Sequence, residues 1–173
     1  MCFSDRRGAD TPPHPLAWYE ERVRTLVLPA LAGHLPHAEL RTVRGPIDVE
    51  LFALDAPLTV DNFLALARGG HYAHLAFHRV VPNFVVQDGD ARGDGNGGPA
   101  ATIRDELSRR GYERGTLGMA LAAPDGGGSQ YFITLSPQPH LDGHYTAFGR
   151  VVSGWAALDA IVQGDSIAAI VPR

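Results

Sequence analysis

Residues 77–87 read FHRVVPNFVVQ, an apolar stretch with one cation, Arg79, and one amide, Gln87. Burying an unpaired charge is costly, so a lone arginine in an apolar strand indicates that something there requires it. Pro82-Asn83 predicts a break between two strands, and side chains alternate between the two faces of a strand. The face that carries Arg79 and Gln87 would also carry two aliphatic side chains. We therefore expect a bent strand pair with a half-polar pocket on one side.

Taken alone, residues 77–87 also fit a core strand with one surface arginine. Two later stretches change that interpretation, GSQYFI at residues 128–133 and HLDGHYTAFG at residues 140–149. The three stretches have the order and spacing of motifs in the cyclophilin family of peptidyl-prolyl cis-trans isomerases. The chain resembles that family over roughly residues 39–171.

Short strands dominate the predicted secondary structure, at residues 40–43, 47–51, 115–121, 130–135 and 146–151 and around Ile167. Thr59 and Ser153 are the predicted N-caps of two helices, which end at Gly69-Gly70 and at Gly164. Many short strands with two helices argue for a mainly β fold, a closed antiparallel barrel, because closure removes exposed edges. The family resemblance implies eight strands with a helix over each open end.

Composition limits the classes of function. The chain has 173 residues, enough for one domain with a real core, and its 20 glycines and 13 prolines predict many turns. The formal net charge is -4 and no stripe of Lys or Arg is present, so we expect no nucleic-acid partner. No apolar run approaches the ~18 residues of a membrane span, so we expect no membrane partner.

The cellular compartment is predicted from the cysteine content and the N-terminal residues. The single cysteine, Cys2, cannot form an internal disulfide, which fits a reducing compartment. Residues 1–7 are polar and lack the apolar middle of a signal peptide. We expect a cytoplasmic monomer, unless the chain has lost its original N-terminus.

The N-terminal segment differs from the rest of the chain. Residues 1–14 are polar and contain proline, which predicts disorder. An amphipathic helical stripe follows, formed by Leu16, Tyr19, Val23, Leu26 and Ala30. Pro29 should end or kink this helix, and Gly33 should close the region. The segment has no counterpart in the resembled core, so we expect an extension at residues 1–37 and an isomerase domain at residues 38–173. The apolar stripe would pack on that domain, on a partner or on a missing neighbouring domain.

Four other motifs fail on inspection. GDGNGG at residues 93–98 matches the dinucleotide pattern G-x-G-x-x-G, but the residues that follow do not open a helix. The same region resembles the start of a calcium loop, but Pro99 stands where a bidentate glutamate belongs. The histidines cluster only where turns are expected, and no cysteine supports a zinc site. Ser129 lacks the second glycine of a nucleophile elbow, because Tyr131 stands there. We expect no cofactor and no bound metal.

The reaction implied by the resemblance is rotation about an X-Pro peptide bond, which requires neither a nucleophile nor a metal. Rotation of an X-Pro amide has a barrier of ~18–20 kcal/mol, because resonance stiffens the C–N bond. No bond is made or broken, so the catalyst has only to bind the twisted amide better than either planar form. Twisting makes the prolyl nitrogen more basic, which suits a guanidinium that is always charged. The resemblance implies that Arg79 is the catalytic cation, and that Gln87 holds the substrate carbonyl or orients Arg79.

The resemblance also implies a pocket for the proline. Phe84, Val85, Phe132 and Leu141 would surround the ring. The backbone of Ala120 and Leu121 would contact the residue before proline. The complete predicted substrate-binding set is His78, Phe84, Val85, Gly95, Ala120, Leu121, Gln130, Phe132, His140, Leu141 and Tyr145.

Five positions depart from the common family pattern. Val85 stands where methionine is common, and His140 stands where many eukaryotic members have tryptophan, which predicts weak cyclosporin binding. Leu121 replaces a usual asparagine and Tyr145 a usual histidine. Asp88 stands where glycine is common, and aspartate tolerates a positive φ better than most residues.

Two functions fit this sequence. The first is an isomerase that acts on X-Pro bonds in peptides and unfolded proteins and so assists folding. The second is a proline-binding module or holdase with little or no catalysis, which the altered pocket residues keep open. The retained Arg79 and Gln87 favour the enzyme.

Overall fold

The computed structural model describes residues 14–99 and 101–173, so the disorder predicted for residues 1–14 falls almost wholly outside it. Eight antiparallel strands and a few short helices make up this part of the chain. The strands are β1 (His37–Thr42), β2 (Gly45–Leu51), β3 (Arg79–Val81), β4 (Val85–Asp88), β5 (Thr116–Met119), β6 (Tyr131–Thr134), β7 (Ala147–Ser153) and β8 (Ile167–Pro172). The helices are α1 (Leu16–Arg22), α2 (Leu28–Leu31), α3 (Pro57–Arg68) and α4 (Trp155–Ala160), with a π-helical stretch at Val23–Val27 and a 3-10 turn at Pro139–Leu141.

The eight strands form one sheet in the order β3-β4-β6-β5-β7-β2-β1-β8. The expected closed barrel is wrong, because no ladder between the described residues joins β3 to β8, and the sheet is an open half-barrel. In the described part of the chain, the two ends of the sheet meet through the segment that precedes β3. There, Ala76 and Ser166 form an isolated bridge, and the N–H of Phe77 donates to the carbonyl of Asp165 at 2.9 Å. These contacts precede β3 and do not form a ladder between β3 and β8, so the barrel stays open.

The hairpin of β3 and β4 has the predicted register. Arg79 pairs with Gln87 across the two strands, so both side chains lie on one face, as their alternation indicated. Asn83 makes the turn between the strands with a φ of 58°, a conformation that asparagine adopts more readily than most residues. β4 then pairs with β6 and sets Gln87 opposite Phe132.

The first core helix, α3, begins earlier than predicted. Its N-cap is Ala56, so the prediction that Thr59 is the N-cap is wrong. Pro57 opens the helix, where its missing N–H is not needed. The free N–H groups are satisfied by a distant carboxylate, that of Glu106, which accepts from Leu58 N–H at 3.0 Å and from Thr59 N–H at 2.7 Å. The negative charge also complements the positive end of the helix.

Helix α4 also has a different N-cap from the one predicted. Gly154 is the N-cap, with a φ of 87°, and Ser153 instead donates its hydroxyl to Asp48 at 2.8 Å. A Cβ at position 154 would overlap the carbonyl oxygen of Pro46. The close approach of two backbones therefore requires glycine at this helix start.

The predicted N-terminal helix is present, and it contains a π-helical stretch just before Pro29. Pro29 has no N–H and would crowd the carbonyl four residues earlier in a regular helix. The π-helical stretch accommodates it, with the N–H of Leu28 donating to the carbonyl of Val23. The segment packs on the rest of the chain, since Arg22 pairs with Asp61 of α3 at 3.0 Å and Ala30 is buried. None of the helices between residues 14 and 173 that the structure describes is long and apolar enough to cross a membrane.

Two apolar clusters fill the interior. The larger cluster occupies the half-barrel and includes Phe63, whose ring lies 5.3 Å from that of Tyr72 and 5.2 Å from that of Phe148. The smaller cluster, which we call the pocket cluster, contains Val85, Tyr112, Phe132, Leu141 and Ala147. It lies on the face of β4 and β6 that also carries Gln87, so the sheet places a polar group beside an apolar surface.

Candidate active site

A chain of hydrogen bonds begins at Arg79, which is exposed on β3. Its Nη1 lies 3.4 Å from Oε1 of Gln87, longer than the usual N–H···O distance of about 2.7–3.2 Å. Nε2 of Gln87 donates to Oε1 of Gln130 at 3.0 Å. Nε2 of Gln130 donates to the carbonyls of Gly95 at 3.0 Å and Gly97 at 2.8 Å. The structure therefore connects three predicted site residues to the glycine-rich loop, residues 91–99, which contains a fourth, Gly95.

The apolar wall beside this chain is the pocket cluster. Phe132 is 6% exposed and stacks on Tyr112, with the ring centres 5.6 Å apart, while Tyr145 meets it edge-on at 5.8 Å. The guanidinium carbon of Arg79 lies 5.3 Å from the ring centre of Phe84. A cation thus lies next to an apolar surface. Three predicted residues, Val85, Phe132 and Leu141, belong to the pocket cluster, and three more pack against it: Phe84, Ala120 and Tyr145.

A cavity of about 540 Å³ adjoins this wall. Four predicted residues line it: Leu121, His140, Leu141 and Tyr145. Arg79 and Phe132 do not line it, so the cavity extends the site rather than containing it. His140 also stacks on Phe84, with the ring centres 5.7 Å apart, and so links the cavity to the wall.

His78 is the predicted residue that the structure does not connect to the others. It belongs neither to the hydrogen-bond chain nor to the pocket cluster. Both of its ring nitrogens are buried without a hydrogen-bond partner in the described structure. Burial lowers the pKa of this histidine, and the charge of Arg79 acts in the same direction, while Asp90 opposes them.

Tyr112 is a pocket residue that the sequence did not reveal. It precedes β5 in an irregular stretch, and no periodic pattern includes it. Gly118 of β5 explains the stacking of its ring on Phe132, because a Cβ at position 118 would overlap the Phe132 ring. In the sequence, Gly118 in the middle of an apolar stretch was the available signal, because a glycine inside a strand often marks a place where another group approaches the backbone closely. Burial raises the pKa of Tyr112, whose hydroxyl has no hydrogen-bond partner among the described residues.

Asp88 does not need the positive φ that the sequence suggested. The non-glycine residues with positive φ in the described ranges are His74, Asn83 and Asp125. Asp88 instead lies in β4 with its side chain on the core face, fully buried, and its two carboxylate oxygens have no hydrogen-bond partner there. Burial raises the pKa of Asp88 to about 6. The backbone N–H of Gly89 opposes part of this rise, and the charge of Asp90 adds to it.

Asp90, two residues later, is also buried but has several partners. Its Oδ1 accepts the N–H of Arg92 at 2.8 Å, and its Oδ2 accepts the N–H of Gly95 at 2.5 Å. Burial alone would raise the pKa of Asp90, but the loop N–H groups outweigh it and lower that pKa below its usual value. Among residues 14–99 and 101–173, no three His, Cys, Asp or Glu side chains are placed to hold a metal ion.

Known proteins of one family resemble this chain in sequence. A family model described as "Cyclophilin type peptidyl-prolyl cis-trans isomerase/CLD" matches residues 37–172. A peptidyl-prolyl cis-trans isomerase of Helicobacter pylori is 42% identical over 161 residues, covering 91% of this chain and 95% of that protein. Peptidyl-prolyl cis-trans isomerase B of Bacillus subtilis is 48% identical over 121 residues, covering 69% of this chain and 85% of that protein.

Solved structures of the same kind resemble the fold. A crystal structure of a cyclophilin-type peptidyl-prolyl cis-trans isomerase from Cryptosporidium parvum matches with a TM-score of 0.77 at 32% identity, covering 80% of this chain and 98% of that one. A second structure of that protein, in the presence of the dipeptide Ala-Pro, matches with a TM-score of 0.76 at 33% identity.

Proposed function

We propose a catalytic site on one premise: this chain belongs to the family of cyclophilin-type peptidyl-prolyl cis-trans isomerases. Its activity is accordingly the acceleration of rotation about X-Pro peptide bonds. The observation that carries the site is the position of Arg79, held 5.3 Å from the Phe84 ring beside the pocket cluster. A fixed cation at an apolar wall matches the two needs of a twisting prolyl amide.

Arg79 is the catalytic residue in this proposal. The guanidinium donates to the prolyl nitrogen as the amide twists and its nitrogen gains basicity. The planar forms offer no such acceptor, so the interaction is stronger in the transition state than in either ground state. Donors held in place in this way can contribute about 2–4 kcal/mol. No proton, electron or covalent bond moves between enzyme and substrate.

The pocket cluster holds the proline ring in this proposal. Phe132, Val85 and Leu141 form the apolar surface under the ring, and all three are almost fully buried. Gln87 holds the substrate carbonyl or orients Arg79, to which it lies 3.4 Å away. The backbone of Ala120 and Leu121 contacts the residue before proline.

The substrates are proline-containing peptides and unfolded proteins, and the protein acts as a monomer in the cytoplasm. Cyclosporin binds weakly, because His140 takes the position where many relatives carry tryptophan. A titration in which cyclosporin blocks turnover at nanomolar concentration would contradict this.

The isomerase domain spans residues 38–173, with residues 1–37 as an extension to it. The limits of the family match, residues 37–172, support this division. Deletion of residues 1–34 should leave a folded, active protein. Loss of soluble protein on deletion would place the segment in the core instead.

Exchange NMR on an Ala-Pro peptide tests the function directly. Uncatalysed exchange takes roughly tens to hundreds of seconds, so a catalysed rate stands out clearly. The protein should speed exchange between the cis and trans signals, and boiled protein should not. Peptide signals that shift without faster exchange would favour the proline-binding holdase. A peptide that neither shifts nor exchanges faster would overturn the proposal.

A further inference from the structure

We propose that Asp90 is a positioning residue for the isomerase reaction, acting on Arg79 through the glycine-rich loop, Gln130 and Gln87. The glycine-rich loop is residues 91–99. The inference rests on the proposed catalytic role of Arg79 and adds to it a residue that lies outside the substrate pocket.

The carboxylate of Asp90 organises the glycine-rich loop from inside. Asp90 is 2% exposed, and its two oxygens accept the N–H groups of Arg92 at 2.8 Å and Gly95 at 2.5 Å. The N–H groups of Gly93 and Gly97 also act on the carboxylate, and together these donors lower its pKa. Bonds to an ionised acceptor are roughly twice as strong as neutral ones, so one side chain fixes several loop residues.

The loop is shaped to admit this carboxylate. A Cβ at Gly97 would overlap Oδ1 of Asp90 and would lie 3.0 Å from the backbone nitrogen of Arg92. Gly97 is therefore a position where the loop backbone closes over the buried charge. Its neighbour Gly98 has no such constraint, because a Cβ there would meet the Ser129 hydroxyl at an ordinary 3.9 Å.

The donor and acceptor of each hydrogen bond determine how Asp90 orients Gln130 and then Gln87. Asp90 accepts the N–H of Gly95, and the carbonyl of that residue faces Gln130. Because Gly95 and Gly97 both offer carbonyls, Gln130 must turn its NH₂ group toward the loop. Its oxygen then faces Gln87, which must turn its own NH₂ group toward Gln130.

At the other end of this hydrogen-bond chain, the side-chain oxygen of Gln87 faces the guanidinium of Arg79. With its NH₂ group committed to Gln130, Gln87 presents its oxygen to Nη1 of Arg79. A loop that offered N–H groups instead would reverse both amides and place an NH₂ group against the guanidinium, where two donors cannot bond. Asp90 thus fixes the polarity of two amides as well as the shape of the loop.

The substitution Asp90→Asn tests the proposal, with Asp94→Asn as its matched control. Asp94 lies in the same loop but is exposed and bonds only within it, to Arg92 and Asn96. We expect Asp90→Asn to lower kcat about tenfold with KM within about twofold, because a misaimed Arg79 weakens binding of the twisted amide but not of the peptide. Asp94→Asn should retain wild-type kcat. An unchanged kcat in Asp90→Asn would overturn the proposal.

A second measurement separates positioning from simple support of the loop. If Asp90 acts through Gln130, Asp90→Asn should cause no further loss of kcat in a Gln130→Ala background, because neighbours in one network are not additive. Independent, multiplying losses would overturn the proposed route. Should Asp90→Asn fail to fold, Gly97→Ala displaces the same carboxylate from the other side, and Gly98→Ala is its control. Equal kcat in that pair would then overturn the proposal.

Failure of this inference is distinguishable from failure of the proposed catalytic site. If the wild type is active, Arg79→Ala is impaired and Asp90→Asn has normal turnover, then only the proposed role of Asp90 is wrong. An Arg79→Ala variant with full turnover would remove the catalytic site itself.

Discussion

The two faces of the β4–β6 strand pair differ in whether their polar side chains have hydrogen-bond partners. On the site face, Gln87 pairs across the ladder with Phe132, and its amide is bonded on both sides. On the core face, Asp88 pairs with Tyr131, and neither the carboxylate nor the hydroxyl has a partner in the described structure. The same backbone ladder therefore supports an ordered polar site and, one residue away, an unsatisfied polar cluster. On the site face, the carbonyls of the glycine-rich loop accept hydrogen bonds from Gln130, which in turn accepts one from Gln87.

The largest effect expected from this contrast is that of Phe132→Ala on the site face. The variant should lose about 3–5 kcal/mol of stability, as phenylalanine truncations in cores do, and should also bind X-Pro peptides more weakly. Phe132→Leu should recover most of the stability, since it keeps much of the buried volume, but not the peptide affinity. Denaturant unfolding and peptide titration measure the two quantities. Lower stability with unchanged affinity would place the proline ring elsewhere.

The second effect concerns Asp88 on the core face and depends on pH. The pKa of Asp88 is raised from 3.8 to about 6 in the folded protein, so the folded state holds the proton more tightly than the unfolded state. This group's contribution to stability is therefore fully present below pH 3.8, declines as the pH rises, and is lost above about pH 6. The loss corresponds to about 3 kcal/mol, at about 1.4 kcal/mol per pKa unit.

Asp88→Asn should abolish that decline, because an amide does not ionise in this range. Urea unfolding of both proteins at pH 5 and pH 8 isolates the effect, because the two proteins differ only at position 88. The exposed Asp94→Asn serves as the control and should follow the wild type. Equal pH dependence in wild type and Asp88→Asn would show that the carboxylate finds a partner in solution.

The third effect, from Arg79→Ala, concerns rate and not stability. Turnover should fall at least tenfold, about 1.4 kcal/mol of barrier or more. The unfolding midpoint should not move, because Arg79 is exposed and closes no core contact. The control is Arg150→Ala, which removes another exposed arginine. Arg150 lies on β7 and donates to Glu50 at 2.9 Å, and this variant should keep full turnover. Unchanged turnover in Arg79→Ala would mean that another group catalyses the rotation.

The smallest effect is expected from Tyr131→Phe on the core face. The hydroxyl is buried without a partner in the described structure, so its removal relieves a desolvation cost and leaves the ring contacts in place. We expect a gain in stability of less than about 1 kcal/mol by denaturant unfolding. A loss of more than that would reveal a hydrogen bond from Tyr131, with Asp88 as the nearest candidate on the paired strand.

Errors in the sequence-based predictions occurred where a distant residue decides the outcome. Thr59 reads as an N-cap locally, but Glu106, 47 residues away, satisfies the start of α3, so the helix begins at Pro57. Ser153 was predicted to cap α4, but the approach of Gly154 to the Pro46 backbone moves the cap by one residue. The closed barrel was inferred from the cost of exposed edges. Closure requires β3 and β8, the strands at the two ends of the sheet, to pair along their length, and no ladder between the described residues joins them.

Alternation of side chains and the order of three motifs were enough to predict the strands, the shared face of Arg79 and Gln87, and the family. These features depend on neighbours in the chain, and a strand places every second side chain on one side whatever lies beyond it. The opposite states of Asp88 and Asp90 could not be predicted in this way. Both are buried carboxylates two residues apart. The folded loop brings several N–H groups to Asp90, whereas the N–H of Gly89 offsets only part of the burial of Asp88. Hydrogen-bond partners are set by where distant segments meet in space, so the tertiary structure alone decided which aspartate is stabilised in its charged form.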